Sequence, residues 1–221
     1  MKVSTPSLIF YFLVCALTIF FSLMGDDMSA IYAKSIVVPS IFIYFFIENN
    51  YRLNFKKAAI FFFSFIGEIY YILDNNLTEV TPMICFMLVY ILLISMMLRD
   101  LETIKFIKEK RTQILILVLF ISVFILTILN LKFEDLQFNF SYFIVYGIVL
   151  GIVTLLTFTN FILKPSYSFF NLVLMSICFV FSDVFYLINN FYFPLTAFKV
   201  LGISTQVFSY YFMVQYFKQP K

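Results

Sequence analysis

The sequence predicts an all-α integral membrane protein: eight transmembrane helices in a single transmembrane domain over residues 1–221, with both the N and C termini cytoplasmic. Three observations carry that prediction. Of the 221 residues, 63% are apolar and 22% aromatic but only 12% charged, whereas a soluble domain is roughly 45–50% apolar and about 25% charged. Eight apolar stretches of near-spanning length can be marked out, and at about 20 residues per span they use most of the chain. The basic residues between those stretches fall almost entirely on one side.

The stretches run over 7–24, 30–46, 58–73, 82–98, 112–131, 142–163, 169–189 and 195–217. The first is not a signal peptide, because its 18 apolar or small residues exceed the usual hydrophobic region and only Lys2 precedes it. The second, third, seventh and eighth carry ionisable residues; the fourth, fifth and sixth read as plain apolar spans. Cys15, Cys85 and Cys178 each sit inside an apolar run without C-x-x-C spacing, as small core residues do.

Assigning the connections alternately to two sides puts twelve lysines and arginines on the side of the N-terminus: Lys2, Arg52, Lys56, Lys57, Arg99, Lys105, Lys108, Lys110, Arg111, Lys164, Lys218 and Lys221. Lys132 stands alone on the other side, whose loops hold Asp26, Asp27, Asp74, Glu79, Glu134 and Asp135. Cytoplasmic loops carry the excess of positive charge, so both termini are read as cytoplasmic. The expected location is the bacterial inner membrane. The longest basic connection, 99–111, reads as a solvated loop beside anionic headgroups. Asn76 and Asn139 open glycosylation patterns in short loops, where they carry little weight.

The segment 68–75, E-I-Y-Y-I-L-D-N, echoes 183–190, D-V-F-Y-L-I-N-N. These lie in the third and seventh spans, which cross in the same direction, so the echo is consistent with a duplicated four-helix unit. Binding sites tend to form between such halves.

Histidine is absent, which removes the commonest general base and the His-dependent triads. Acid–base work then falls to the ionisable residues inside the spans: Lys34, Glu68, Asp183 and Lys199. A charge at the bilayer centre is costly enough that such residues face a protein interior and mark function. At ~1.5 Å per residue they lie ~6–9 Å from the same face, so one shared cavity is expected. Ser64, Gly67, Tyr71, Ser182 and Tyr186 are placed to line it, and on the eighth span Tyr211 and Gln215 share a face at i and i+4.

With those residues placed, the chain resembles the YhhN-like family of eight-span membrane proteins, which includes the lysoplasmalogenases. Lys34 followed by Pro39 is similar to the family's lysine and proline of the second span. Ser64-Phe65-Ile66-Gly67-Glu68 is similar to its Ser-x-x-Gly-Asp, Phe179 with Ser182-Asp183 to its Phe-x-x-Ser-Asp, and Tyr211 with Gln215 to its Tyr-Tyr-x-Ala-Gln ending. Glu68 departs by one methylene from the family aspartate, and Ser35 and Phe212 depart from its proline and tyrosine.

The resemblance implies an intramembrane hydrolase that cleaves the alkenyl ether bond of a lysoplasmalogen-like lipid. Such chemistry needs one protonated carboxyl and one carboxylate. Glu68 is expected as acid and Asp183 as base, with Lys34 and Lys199 on the phosphate, and Tyr211 and Gln215 on substrate or water. No metal or organic cofactor is required. The expected partner is a membrane lipid and not a nucleic acid. Physics alone leaves open a transporter or lipid-binding protein using the same charges. For the topology, reporters fused at the C-terminus should be active only in the cytoplasm and those in the loop 74–81 only outside it; the reverse pattern would overturn the eight-span reading.

Overall fold

The computed structural model describes residues 4–73, 80–104, 108–129 and 140–218. These form eight α-helices: α1 Thr5–Met24, α2 Asp27–Glu48, α3 Phe55–Leu73, α4 Val80–Glu102, α5 Arg111–Leu129, α6 Phe140–Leu163, α7 Tyr167–Phe191 and α8 Thr196–Lys218, with a 3-10 turn at Lys108–Lys110. Each coincides with one apolar stretch to within four residues at either end. Lys2, Lys105, Lys132, Lys221, Asp74, Glu79, Glu134, Asp135, Asn76 and Asn139 lie outside the described residues, as do the side chains of Asp27, Tyr71 and Lys108.

Local chemistry sets the helix ends. Gly25, at φ 74°, terminates α1 in the left-handed conformation that a Cβ disfavours. Asp26 follows as the N-cap of α2, its carboxylate accepting the Ser29 N–H at 3.1 Å, and the hydrogen bonds to Ser29 hold that carboxyl below the usual range. Ser166 caps α7 in the same way through Phe169. Pro39 inside α2 cannot donate to the Ser35 carbonyl, one residue beyond Lys34.

Seven helices close a ring in the order α1, α2, α3, α4, α6, α7, α8 and back to α1, and α8 also packs against α2. α5 stands outside the ring against α6, and among its described residues only Ile121 is buried. The Gly151 surface of α6 admits it, since a Cβ there would meet Ile125 Cδ1 at 2.2 Å. Tyr11, Tyr90, Tyr210, Leu93, Leu172 and Met213 are among the fully buried side chains at the ring's centre.

Contacts between helix ends fix direction. Lys218 Nζ reaches Glu48 Oε2 at 3.0 Å, Lys57 Nζ donates to the Phe217 carbonyl at 2.8 Å, and the Tyr216 hydroxyl donates to Asp100 at 2.7 Å. The ends of α2, α4 and α8 therefore meet the start of α3, as alternating antiparallel helices require. Six helices, α1, α2, α4, α5, α6 and α7, are long and apolar enough to cross a membrane. The other two, α3 and α8, carry Glu68 and its amide and phenol partners.

Candidate functional site: two carboxylates and an apolar slot

Glu68 sits on α3 one turn beyond Ser64 and next to Gly67, where α4 approaches so closely that a Cβ would lie 3.1 Å from the Phe86 ring. It is 2% exposed. Its Oε2 pairs with Lys34 Nζ of α2 at 2.9 Å, while Oε1 accepts Gln206 Nε2 at 2.6 Å and the Tyr210 hydroxyl, both from α8. Burying an ion pair is tolerable only when the remaining lone pairs are also satisfied, and here three donors from two helices do that. Tyr11 of α1 donates to the Val207 carbonyl beside Gln206, fixing the helix that supplies the donors. The Ser64 hydroxyl is buried without a hydrogen-bond partner.

Asp183 belongs to a second cluster. Its Oδ2 accepts the Tyr146 hydroxyl of α6 at 2.8 Å and the Tyr90 hydroxyl of α4 at 3.1 Å, and the two hydroxyls are 3.2 Å apart. No cation balances it among the described residues. The Phe179 ring, one turn earlier on α7, packs against a phenol of each cluster, its centroid 5.4 Å from Tyr90 and 6.4 Å from Tyr210.

An apolar cavity of about 240 Å³ lies between α5, α6 and α7. Phe120, Ile125, Leu150, Phe158, Val180 and Leu187 contribute to its walls, and Asp183 is the only carboxylate among its described lining residues, which also include the Tyr146 phenol. Gly147 keeps the slot open on the α6 side, since a Cβ there would meet nothing within 4 Å. Glu68 does not line this cavity.

The YhhN family profile matches residues 29–217, which spans α2 through α8 and both carboxylates. The chain belongs to the YhhN family. Together with the six long apolar helices, this makes it a multi-pass helical membrane protein. No curated protein and no solved structure matches it significantly.

In this YhhN protein the two carboxylates take their donors from different helices, Lys34, Gln206 and Tyr210 for Glu68 and Tyr90 and Tyr146 for Asp183, and of the two it is Asp183 that lines the apolar cavity. Lys34, expected at a phosphate, is committed to Glu68. Lys199 lies half-buried in the first turn of α8, seven residues and about 10 Å along the helix from Gln206. Tyr211 turns towards α1, its ring 5.3 Å from Phe12, and Gln215 is buried about 13 Å along the helix from Gln206. The groups that do meet the carboxylates are Gln206, Tyr210, Tyr90 and Tyr146. Gln206 and Tyr210 share one face at i and i+4, the same signal that drew attention to Tyr211 and Gln215. Tyr90 carries no such signal, being the single phenol of its apolar span, and Tyr146, though spaced i and i+4 from Tyr142, stands in a span with no charged residue to draw attention to it.

Removing one partner of a buried pair leaves the other charge uncompensated, at a typical cost of about 3–5 kcal/mol. Lys34→Met and Glu68→Gln should each lower the thermal unfolding midpoint in detergent, and the double variant should regain most of the loss. Strictly additive losses would show that the two residues are not coupled.

Proposed function

We propose that this YhhN protein is an intramembrane hydrolase of single-chain alkenyl ether lipids, as its resemblance to the lysoplasmalogenases implies. The observation that carries the reading is the apolar slot with Asp183 as the one carboxylate among its described lining residues. An alkenyl ether is activated by protonation on carbon, at the second atom of the hydrocarbon chain. The proton donor must therefore face the chain, which makes the wall of an apolar slot the place for it.

In this reading Asp183 is the acid, since no cation among the described residues pairs with it, and Glu68 is held in its ion pair with Lys34. That assignment reverses the one expected from the sequence. The Asp183 carboxyl gives its proton to the second chain carbon, leaving an oxocarbenium ion at the first. Water adds there and returns a proton to the Asp183 carboxylate, so one group serves as acid and then as base, as in retaining glycosidases. The hemiacetal then collapses to a fatty aldehyde and the freed glycerol hydroxyl. Tyr146 and Tyr90 orient the carboxyl, while Glu68 with Lys34, Gln206 and Tyr210 holds α8 against α2 and α3. Lys199, in the first turn of α8, is the residue this reading assigns to the phosphate, while Tyr211 and Gln215, about 18 and 24 Å further along the helix, take no part in it.

The same reading takes all eight helices as spans with cytoplasmic termini, and the chain as two four-helix units. Three features support it: the alternating helix directions, the echo of Glu68 in Asp183, and a neighbour pattern in which α4 packs on α6 as α8 packs on α2. Each carboxylate also draws a phenol from the fourth helix of the other unit, Tyr210 for Glu68 and Tyr90 for Asp183.

General acid–base help is typically worth about 10²–10⁴ in rate. Purified protein should release free aldehyde from a lysoplasmalogen, and Asp183→Asn should lower that rate at least ~100-fold. Gly147→Leu, which fills the slot while favouring the helix, should lower it too with the fold retained. Wild-type protein that releases no aldehyde, or an Asn variant within tenfold of it, would turn the reading towards a transporter or lipid-binding protein.

A further inference from the structure

At the opposite end of the helices from the two carboxylate clusters lies a second cavity, of about 280 Å³, lined by Asn54, Lys56, Lys57, Met96, Arg99 and Asp100. Its lining charges are three cations against one carboxylate, a surplus of two. The carboxylate is the buried one: Asp100 is 8% exposed and receives the Tyr216 hydroxyl at 2.7 Å, so it serves as a structural anchor for α8. Lys57 is placed by its bond to the Phe217 carbonyl and by the Phe45 and Phe217 rings, 5.5 and 5.4 Å from its ammonium. Lys56 reaches across to the Ser95 hydroxyl of α4, and the Asn54 side-chain Oδ1 accepts the Lys56 backbone N–H at 2.9 Å. Arg99 is exposed at the rim.

The charge at this end of the molecule is not uniform. The neighbouring Lys218 is matched by Glu48 and Tyr44, making that corner neutral. Of the described basic residues at this end, Lys56, Lys57 and Arg99 share one concave place, whereas Arg52, Lys110, Arg111 and Lys164 lie outside its lining. Basic pockets between membrane helices at this level take phosphate-bearing headgroups, with each lysine or arginine adding to the attraction.

We propose that this cavity binds a phosphate group, as the headgroup of an anionic phospholipid or as free phosphate. It is distinct from the proposed reaction site. Lys57 lies eleven residues from Glu68 and Asp100 ten from Tyr90, about 15 Å along the helices. In a glycerophospholipid the phosphate is only a few bonds from the first chain carbon, so one molecule cannot place its phosphate here and its reacting bond at Asp183.

The test is native mass spectrometry of the full chain in detergent, offered phosphatidylglycerol, phosphatidylcholine or inorganic phosphate in turn. The wild type should retain phosphatidylglycerol in preference to phosphatidylcholine. Arg99→Gln should weaken that retention roughly fivefold and Lys56→Gln should do the same, while Lys164→Gln, an exposed basic residue outside the cavity, leaves it unchanged. Because Arg99 is exposed, its removal leaves the fold intact, which an unchanged unfolding midpoint without lipid would verify. Displacement of the lipid by millimolar phosphate would assign the affinity to the phosphate itself; resistance to displacement would assign it to the whole anionic lipid. Equal retention of both lipids with no phosphate binding, or an Arg99→Gln variant that retains phosphatidylglycerol as the wild type does, would overturn the proposal.

Discussion

Lipid offers no hydrogen-bond partner and no counterion, so every carboxylate placed in a membrane helix must be met by neighbouring helices. In this chain that constraint organises the bundle. Glu68 on α3 needs donors from α2 and α8, and Asp183 on α7 needs them from α4 and α6. Satisfying both draws six of the eight helices towards one another, and α1 is drawn in through Tyr11 and the Val207 carbonyl. α5 supplies nothing to either carboxylate and lies outside the ring, where its large apolar side chains remain exposed.

The two clusters are alike in plan and different in charge. Each carboxylate takes one partner from the immediately preceding helix and one phenol from a helix further off. At Glu68 the first partner is a cation, Lys34; at Asp183 it is a phenol, Tyr146. Only the second carboxylate opens on an apolar slot, between α6 and the detached α5. Under the proposed function, the group without a described counterion, at the wall of an apolar slot, is the proton donor, and the group in the ion pair with Lys34 holds helices together.

Much of this was legible in the sequence. Helix positions followed from apolar runs bounded by polar residues, because a membrane helix must be apolar along its whole length. Lys34, Glu68 and Asp183 stood out because charge in such runs is rare and must be used. What stayed hidden was pairing. Depth along a helix placed Glu68 and Asp183 at one level, but depth carries no azimuth, and it is azimuth that decides which helices supply the donors to each. Tyr90 and Tyr146 were hidden because 15 tyrosines in an aromatic-rich chain look alike until packing selects two. Tyr210 and Gln206 show the same effect at finer scale: α8 carries two tyrosines side by side, and the face that α8 turns inwards, set by Gly202 against α7 and by Tyr11 from α1, selects the first.

The account's central claim is that a proton passes from a carboxyl at the wall of the slot to the second carbon of a lipid chain. Hydrolysis of a lysoplasmalogen in heavy water, followed by mass analysis of the aldehyde released, tests it directly. The account predicts one deuterium on the carbon next to the aldehyde group, appearing at the enzyme-dependent rate. Aldehyde released without that label, or no enzyme-dependent release at all, would contradict it.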